Sequence, residues 1–173
     1  LTHTAGLESG LVIHTDILEV DASSAIDVSG KGYPGGRTSS NSMDYGITLG
    51  GLPGALTRSA GSYGGLGVVV DSGALTNPIY GHPAQPVYLG SGGSCGTYGD
   101  PGGHGGGRMS ITAEMVRVNG ALHADGTTGG GNHAGSGSGG SIQIETDHLE
   151  GAGFITVNGG AGETKGGGGR IAV

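Results

Sequence analysis

Seven histidines, His3, His14, His82, His104, His123, His133 and His148, are the first side chains to ask for chemistry. No two of them are four apart, the helical spacing that turns a pair toward zinc, and a single cysteine supplies no Cys–His ligand set. They are expected as solvated surface groups, His123 among them. A calcium-binding roll would need a GGxGxD run, and the nearest stretches, GTYGDPGG and HADGTTGGG, lack Asp at the required place. Asp125 and Asn158 each precede a glycine and read as turn residues bonded to their own backbone. A sugar lyase or hydrolase would gather carboxylates or cations on one face, and a groove lined by three or more carboxylates would be its mark. The cations Lys31, Arg37, Arg58, Arg108, Arg117, Lys165 and Arg170 are spread instead, with Arg108 and Arg170 recurring as strand openers. No GxSxG elbow is present. The sequence therefore predicts no catalytic residue, no cofactor, no metal site and no enzyme. Cys95, alone in SGGSCGTYG, reads equally as an intermolecular disulfide or a buried thiol.

The elements that must carry these residues come from internal repetition. Laying Arg108 onward over Ser141 onward brings Met109, Ile111, Val116 and Leu122 onto Ile142, Ile144, Leu149 and Ile155 at a constant offset of 33. Leu11, Ile13, Leu18, Val20, Ile26 and Val28 repeat the order with two extra residues before Ile26, and Arg170, Ile171 and Val173 open a further copy. Within each copy apolar residues alternate with polar ones, the mark of short strands with one buried face. The expected fold class is all-β, a parallel β-solenoid (β-helix) of short strands, with Ile111 beside Ile144 and Val116 beside Leu149. Residues 1–173 are expected to form one domain, in which 11–30, 108–126, 141–159 and 170–173 are the repeated strand sets and 31–90 an irregular insertion.

Gly-rich excursions at 91–107, 127–140 and 159–169 each end directly before an apolar-x-apolar strand. Recurrence at a fixed place argues against flexible linkers; extended polyproline-II-like packing and tight irregular loops both remain open. Tyr45, Tyr63, Tyr80 and Tyr88 fall in the insertion and are expected to anchor it, rings on glycine backbone and hydroxyls in water. Glycine supplies 44 of 173 residues, which rules out a helical bundle, while the lack of a three-residue Gly period rules out collagen. A net charge of −7 argues against nucleic acid, and the absence of a long apolar run argues against membrane insertion.

The order SYGGLG, YG followed by LGSGG, NGALHADG, GSGGSIQIETDHLEGAGFITVNGG and GGGGRIAV, from about Gly61 to Val173, resembles a Gly-rich repeat of very long secreted or surface proteins of bacteria, algae, protists and some animals. The resemblance implies an extracellular or cell-surface location and a repetitive architecture, and brings no catalytic residues. The stretch 67–79, with Val68-Val69-Val70, departs from the usual Gly-rich form. The function expected is structural: copies of the chain stacking head to tail into a filament, sheath or appendage. Leu11, Ile13, Arg170, Ile171 and Val173 are expected at the joint, neither end carrying a polar cap. The alternatives are an adhesin or glycan-binding module, which would need an exposed Tyr or Asp cluster in 31–90 and would bring surface glycans in as partners, and a carbohydrate-active enzyme.

Overall fold

The computed structural model describes all 173 residues. In chain order the elements are β1 (Leu11–His14), β2 (Ile17–Val20), β3 (Ala25–Asp27), β4 (Ile47–Thr48), a 3-10 turn (Leu49–Gly51), β5 (Leu52–Pro53), β6 (Arg108–Val118), β7 (Ala121–His123), β8 (Ser141–Glu150), β9 (Phe154–Thr156) and β10 (Arg170–Ala172). Two parallel sheets carry the fold. The larger runs β1-β6-β8-β10, with β2 also paired to β6; the smaller runs β3-β7-β9. Strands β4 and β5 make a separate antiparallel pair.

Register follows the repeat. Ile111 lies beside Ile144 and Val116 beside Leu149, while Leu11 and Ile13 lie beside Met109 and Ile111. Ile26 lies beside Leu122, and Leu122 beside Ile155. Like therefore sits next to like along each sheet, and the buried members, among them Met109, Ile111, Val116, Leu122, Ile142 and Ile144, form one core. Alternation is not continuous along β6. Met109, Ile111 and Ala113 are buried, Glu114 is exposed and Met115 half-buried, and burial resumes at Val116 and Val118. The parity changes at Glu114, so both halves of the strand aim inward around a corner.

The expected solenoid is not what the chain forms. A solenoid needs coils of one size lying on one another, but residues 28–107 intervene between β3 and β6, and 124–140 between β7 and β8. These stretches build a second body with its own bonding rule. Of 89 backbone–backbone hydrogen bonds, 25 lie within the regular elements; the other 64 lie in turns, corners and the segments between them. Along 135–140 successive N–H groups reach three different neighbours in rotation. Gly135 and Ser138 donate to Ser94 and Ser91, Ser136 and Gly139 to Thr164 and Gly167, and Gly137 and Gly140 to Thr127 and Ala124. Segment 102–107 behaves likewise, with Gly102 and Gly105 bonded to Gly36 and Tyr33, and Gly103 and Gly106 to Gly135 and Ser138. A rotation of three is the period of polyproline II, so of the two expectations for the Gly-rich runs, extended packing holds along 102–107 and 135–140, while residues 130–133 turn. Glycine is required there by contact: a Cβ on Gly135 would stand 1.8 Å from the Ser59 carbonyl oxygen, and one on Gly137 1.9 Å from that of His104.

Tyr63 and Tyr80 anchor the insertion, but not with hydroxyls in water. Tyr63 is fully buried, its ring 4.8 Å from that of Tyr80, which meets Tyr88 edge-on at 6.1 Å. Tyr63 Oη shares a 2.8 Å hydrogen bond with Ser141 Oγ, and Tyr80 Oη donates to the Leu89 carbonyl at 2.5 Å. A buried phenol must keep a partner inside the protein, and these glycine segments offer many carbonyls. Burial raises the pKa of both phenols, that of Tyr80 well above the ordinary value.

Candidate functional site

The widest concavity lies at the corner of the larger sheet. It is lined by His14, Thr15 and Asp16 from the β1–β2 connection, Thr112, Ala113 and Glu114 from β6, and Glu145, Thr146 and Asp147 from β8, with a volume of about 640 Å³. The parity change builds it: where two successive residues point outward, each strand turns a short polar shelf to solvent. Register places Asp16, Glu114 and Asp147 at one equivalent position on neighbouring strands, a row of like charges. All four carboxylates of the groove are exposed. One step along, the opposite arrangement occurs: Arg117 sits between Glu19 and Glu150 and pairs with both, at 2.5 Å to Glu150. No group of three or more His, Cys, Asp or Glu is arranged to hold a metal ion. Sequence reasoning missed this groove, although the odd spacing between Ile111 and Val116 in an otherwise even pattern marks the bend.

The second candidate is the pair of open sheet edges. Leu11 and Ile13 are half-buried on β1, at one edge, and Ile171 and Val173, 40% and 71% exposed, are at the other. Arg170 is engaged inside the molecule: its guanidinium lies 5.5 Å over the Tyr63 ring, and Nη2 donates to the Tyr80 carbonyl at 3.2 Å. Among the expected joint residues, Arg170 ties β10 to the insertion.

The smaller sheet is extended on one side. Residues ahead of β1 return along the outer edge of β3, where Asp27 N–H donates to the Leu1 carbonyl at 3.0 Å and Gly6 N–H to that of Lys31 at 2.9 Å. His3 is buried there, with Nδ1 2.8 Å from the Thr4 carbonyl and Nε2 accepting the Arg108 backbone N–H at 3.4 Å. Burial lowers its pKa below the ordinary value, Lys31 adding to the effect. His123 is half-buried rather than solvated, its Nδ1 2.7 Å from Thr156 Oγ1. Asp125 bonds outward, to the next strand: its carboxylate accepts from Thr156 Oγ1 at 2.9 Å and from Asn158 N–H at 2.6 Å. His104 is half-buried and its pKa also falls, by burial first.

Cys95 is free and half-buried in a small pocket with Asp44, Thr57, Arg58, Gly96 and Thr97, and burial pushes its thiol pKa up. Tyr33 is buried, its hydroxyl donating to Glu8 at 2.8 Å; burial and that carboxylate raise its pKa to about 12. The acids of the insertion are paired, Asp44 with Arg37 and Asp71 with Arg58. No protein-family model, curated protein or solved structure matches the chain.

Proposed function

We propose that the chain is a structural, non-enzymatic protein of the extracellular or cell-surface space that builds a filament, sheath or appendage by head-to-tail pairing with copies of itself. One observation carries this reading: β1 and β2 at one edge of the larger sheet and β10 at the other run parallel, with apolar rows in a shared register. A free edge offers unpaired N–H and C=O groups, and a copy added in the same direction meets a strand of matching polarity and pattern. The two surfaces differ, so the contact is heterologous and repeats without closing. The extracellular placement is supported by the order of the Gly-rich motifs. Sedimentation velocity over a concentration series, with negative-stain microscopy, tests the reading. Elongated particles that grow with concentration are expected; a monomer throughout overturns it.

A second reading, a carbohydrate-active surface, is favoured by the corner groove, where Asp16, Glu114, Glu145 and Asp147 stand together. Against it stands their exposure, because a general acid acquires its raised pKa from burial. Release of new reducing ends from polysaccharide, lost in Glu114→Gln, would support this second reading.

A further inference from the structure

Arg108 and Arg170 open equivalent strands, yet the protein uses their side chains differently. The Nε of each is buried without a hydrogen-bond partner, so the difference lies at the terminal nitrogens. Those of Arg170 are held by the insertion, over the Tyr63 ring and against the Tyr80 carbonyl. Arg108 stacks on no ring and pairs with no carboxylate, and its Nη1 reaches the Glu8 carbonyl only at 3.4 Å. A guanidinium carries five donors in a fixed fork, and here most of them are left unused.

This guanidinium lines a hollow of about 340 Å³ where the Leu7–Gly10 turn, the insertion and the start of β6 meet. Gly10 N–H closes the turn by donating to the Leu7 carbonyl at 2.9 Å, which places Glu8 and Ser9 at its tip. The turn is pressed against β6, because a Cβ on Gly10 would stand 2.4 Å from the Arg108 carbonyl oxygen. Leu49, Val87 and Tyr88 supply apolar lining from the insertion. The Tyr33 hydroxyl donates to Glu8 Oε1, which fixes that carboxylate and leaves Oε2 free to accept. Tyr88 is 37% exposed, and its main chain is held by Ser141 Oγ, which donates to the Tyr88 carbonyl.

The geometry points to a saccharide site: the hollow takes a neutral pyranose, its ring against Tyr88, Val87 and Leu49 and its hydroxyls between the Arg108 guanidinium and Glu8 Oε2. An anion would meet Glu8 in the same hollow, on a chain of net charge −7. A wholly apolar molecule would desolvate a cation and a carboxylate without replacing their hydrogen bonds. A sugar satisfies both, because each hydroxyl accepts from the guanidinium or donates to the carboxylate while the C–H face covers the apolar lining. The volume is at the small end for ligand sites, which limits the occupant to about one or two rings. The site is complete within one copy and stands or falls apart from the filament reading.

Amide 1H–15N shifts of the full chain test it, with the methyl glycosides of glucose, galactose, mannose and N-acetylglucosamine as probes. At least one is expected to move the Ser9, Tyr88 and Arg108 amides along a saturating curve, with a dissociation constant of about 1–10 mM. Arg108→Lys keeps the charge and loses the fork; Glu8→Gln still accepts from Tyr33 but loses the second acceptor. Each is expected to weaken binding by about fivefold or more, with a melting temperature within about 2 °C of the parent. Full affinity in Glu8→Gln overturns the site, and loss in Glu114→Gln alone would move the sugar to the corner groove. No saturating shift with any probe at about 50 mM, or saturation of the same amides by inorganic phosphate instead, overturns it as well.

Discussion

His3 shows how one buried side chain ties a segment to the sheets. Its neutral ring uses Nδ1 toward the Thr4 carbonyl and Nε2 as acceptor from Arg108 N–H. A second ring proton would turn Nε2 into a donor facing a donor, beside the cation of Lys31. The folded pKa is lowered from the ordinary 6.5, so docking of residues 1–10 is fully stabilised above that value. It weakens as pH falls through 6.5 toward the lower folded value. Amide exchange at Asp27 and Gly6, corrected for intrinsic rates, is expected to lose protection between neutral and mildly acidic pH while Ile111 and Ile144 keep theirs. His3→Gln, which accepts the same bond and does not titrate, is expected to flatten the profile; an unchanged profile would assign the effect to another group, such as His104. The core gives a second residue-scale expectation. Ile144 is 2% exposed and its chain neighbour Glu145 faces the groove. Ile144→Asp is expected to cost at least about 3 kcal/mol, because a carboxylate would be buried unpaired. Glu145→Ala is expected to stay within about 0.5 kcal/mol. Equal melting temperatures for the two variants would refute the facing of β8.

At the scale of elements, the glycine segments behave as packed structure, and single substitutions separate that from loop behaviour. Gly135→Ala is expected to destabilise by about 2 kcal/mol or more, since the Ser59 backbone, not a flexible side chain, stands in the way. Gly168 has nothing within 4 Å of the equivalent position, and Gly168→Ala is expected to be neutral or stabilising by up to about 1 kcal/mol. Chemical denaturation of the two variants checks the contrast; equal small effects would mean that the runs are loosely held. The strands were legible in the sequence because alternation and the 33-residue offset are side-chain signals, and register followed from them. The glycine body was half legible. Glycine carries no side chain to display a period, and only serines such as Ser91 and Ser94, or Ser138 and Ser141, stand three apart where the bonding rotation is three. The solenoid expectation erred by extending the strand period into segments that bond by another rule. Leu1–His3 escaped notice because three residues are too few to show alternation. The charge rows are a further element-scale feature. Glu19–Arg117–Glu150 alternates in sign, whereas Asp16–Glu114–Asp147 does not. Like charges directly opposite on neighbouring strands destabilise by roughly 0.2–1 kcal/mol, so Glu114→Gln is expected to raise the melting temperature and Arg117→Gln to lower it.

For the whole molecule, charge and strand addition act against one another. The net charge of −7 repels copies at any approach, and the acidic rows concentrate that repulsion at the joint. Asp147 and Glu150 lie on β8, while Asp16 and Glu19 lie in the β1–β2 region of the opposite edge. In head-to-tail pairing of these two edges the groups come within about 10 Å of one another, one to two strand spacings. That separation is short against the screening length of about 30 Å at 0.01 M salt and comparable to the roughly 10 Å at 0.1 M. Backbone pairing and the apolar rows of Leu11, Ile13, Ile171 and Val173 are little affected by salt in this range. Assembly is therefore expected to strengthen as salt rises from about 0.01 to 0.15 M. Asp147→Asn with Glu150→Gln is expected to shift onset to lower salt. Light scattering at fixed protein concentration reads both effects. Assembly that weakens with added salt would mean that the copies are held by opposite charges, and would place the contact away from these two edges.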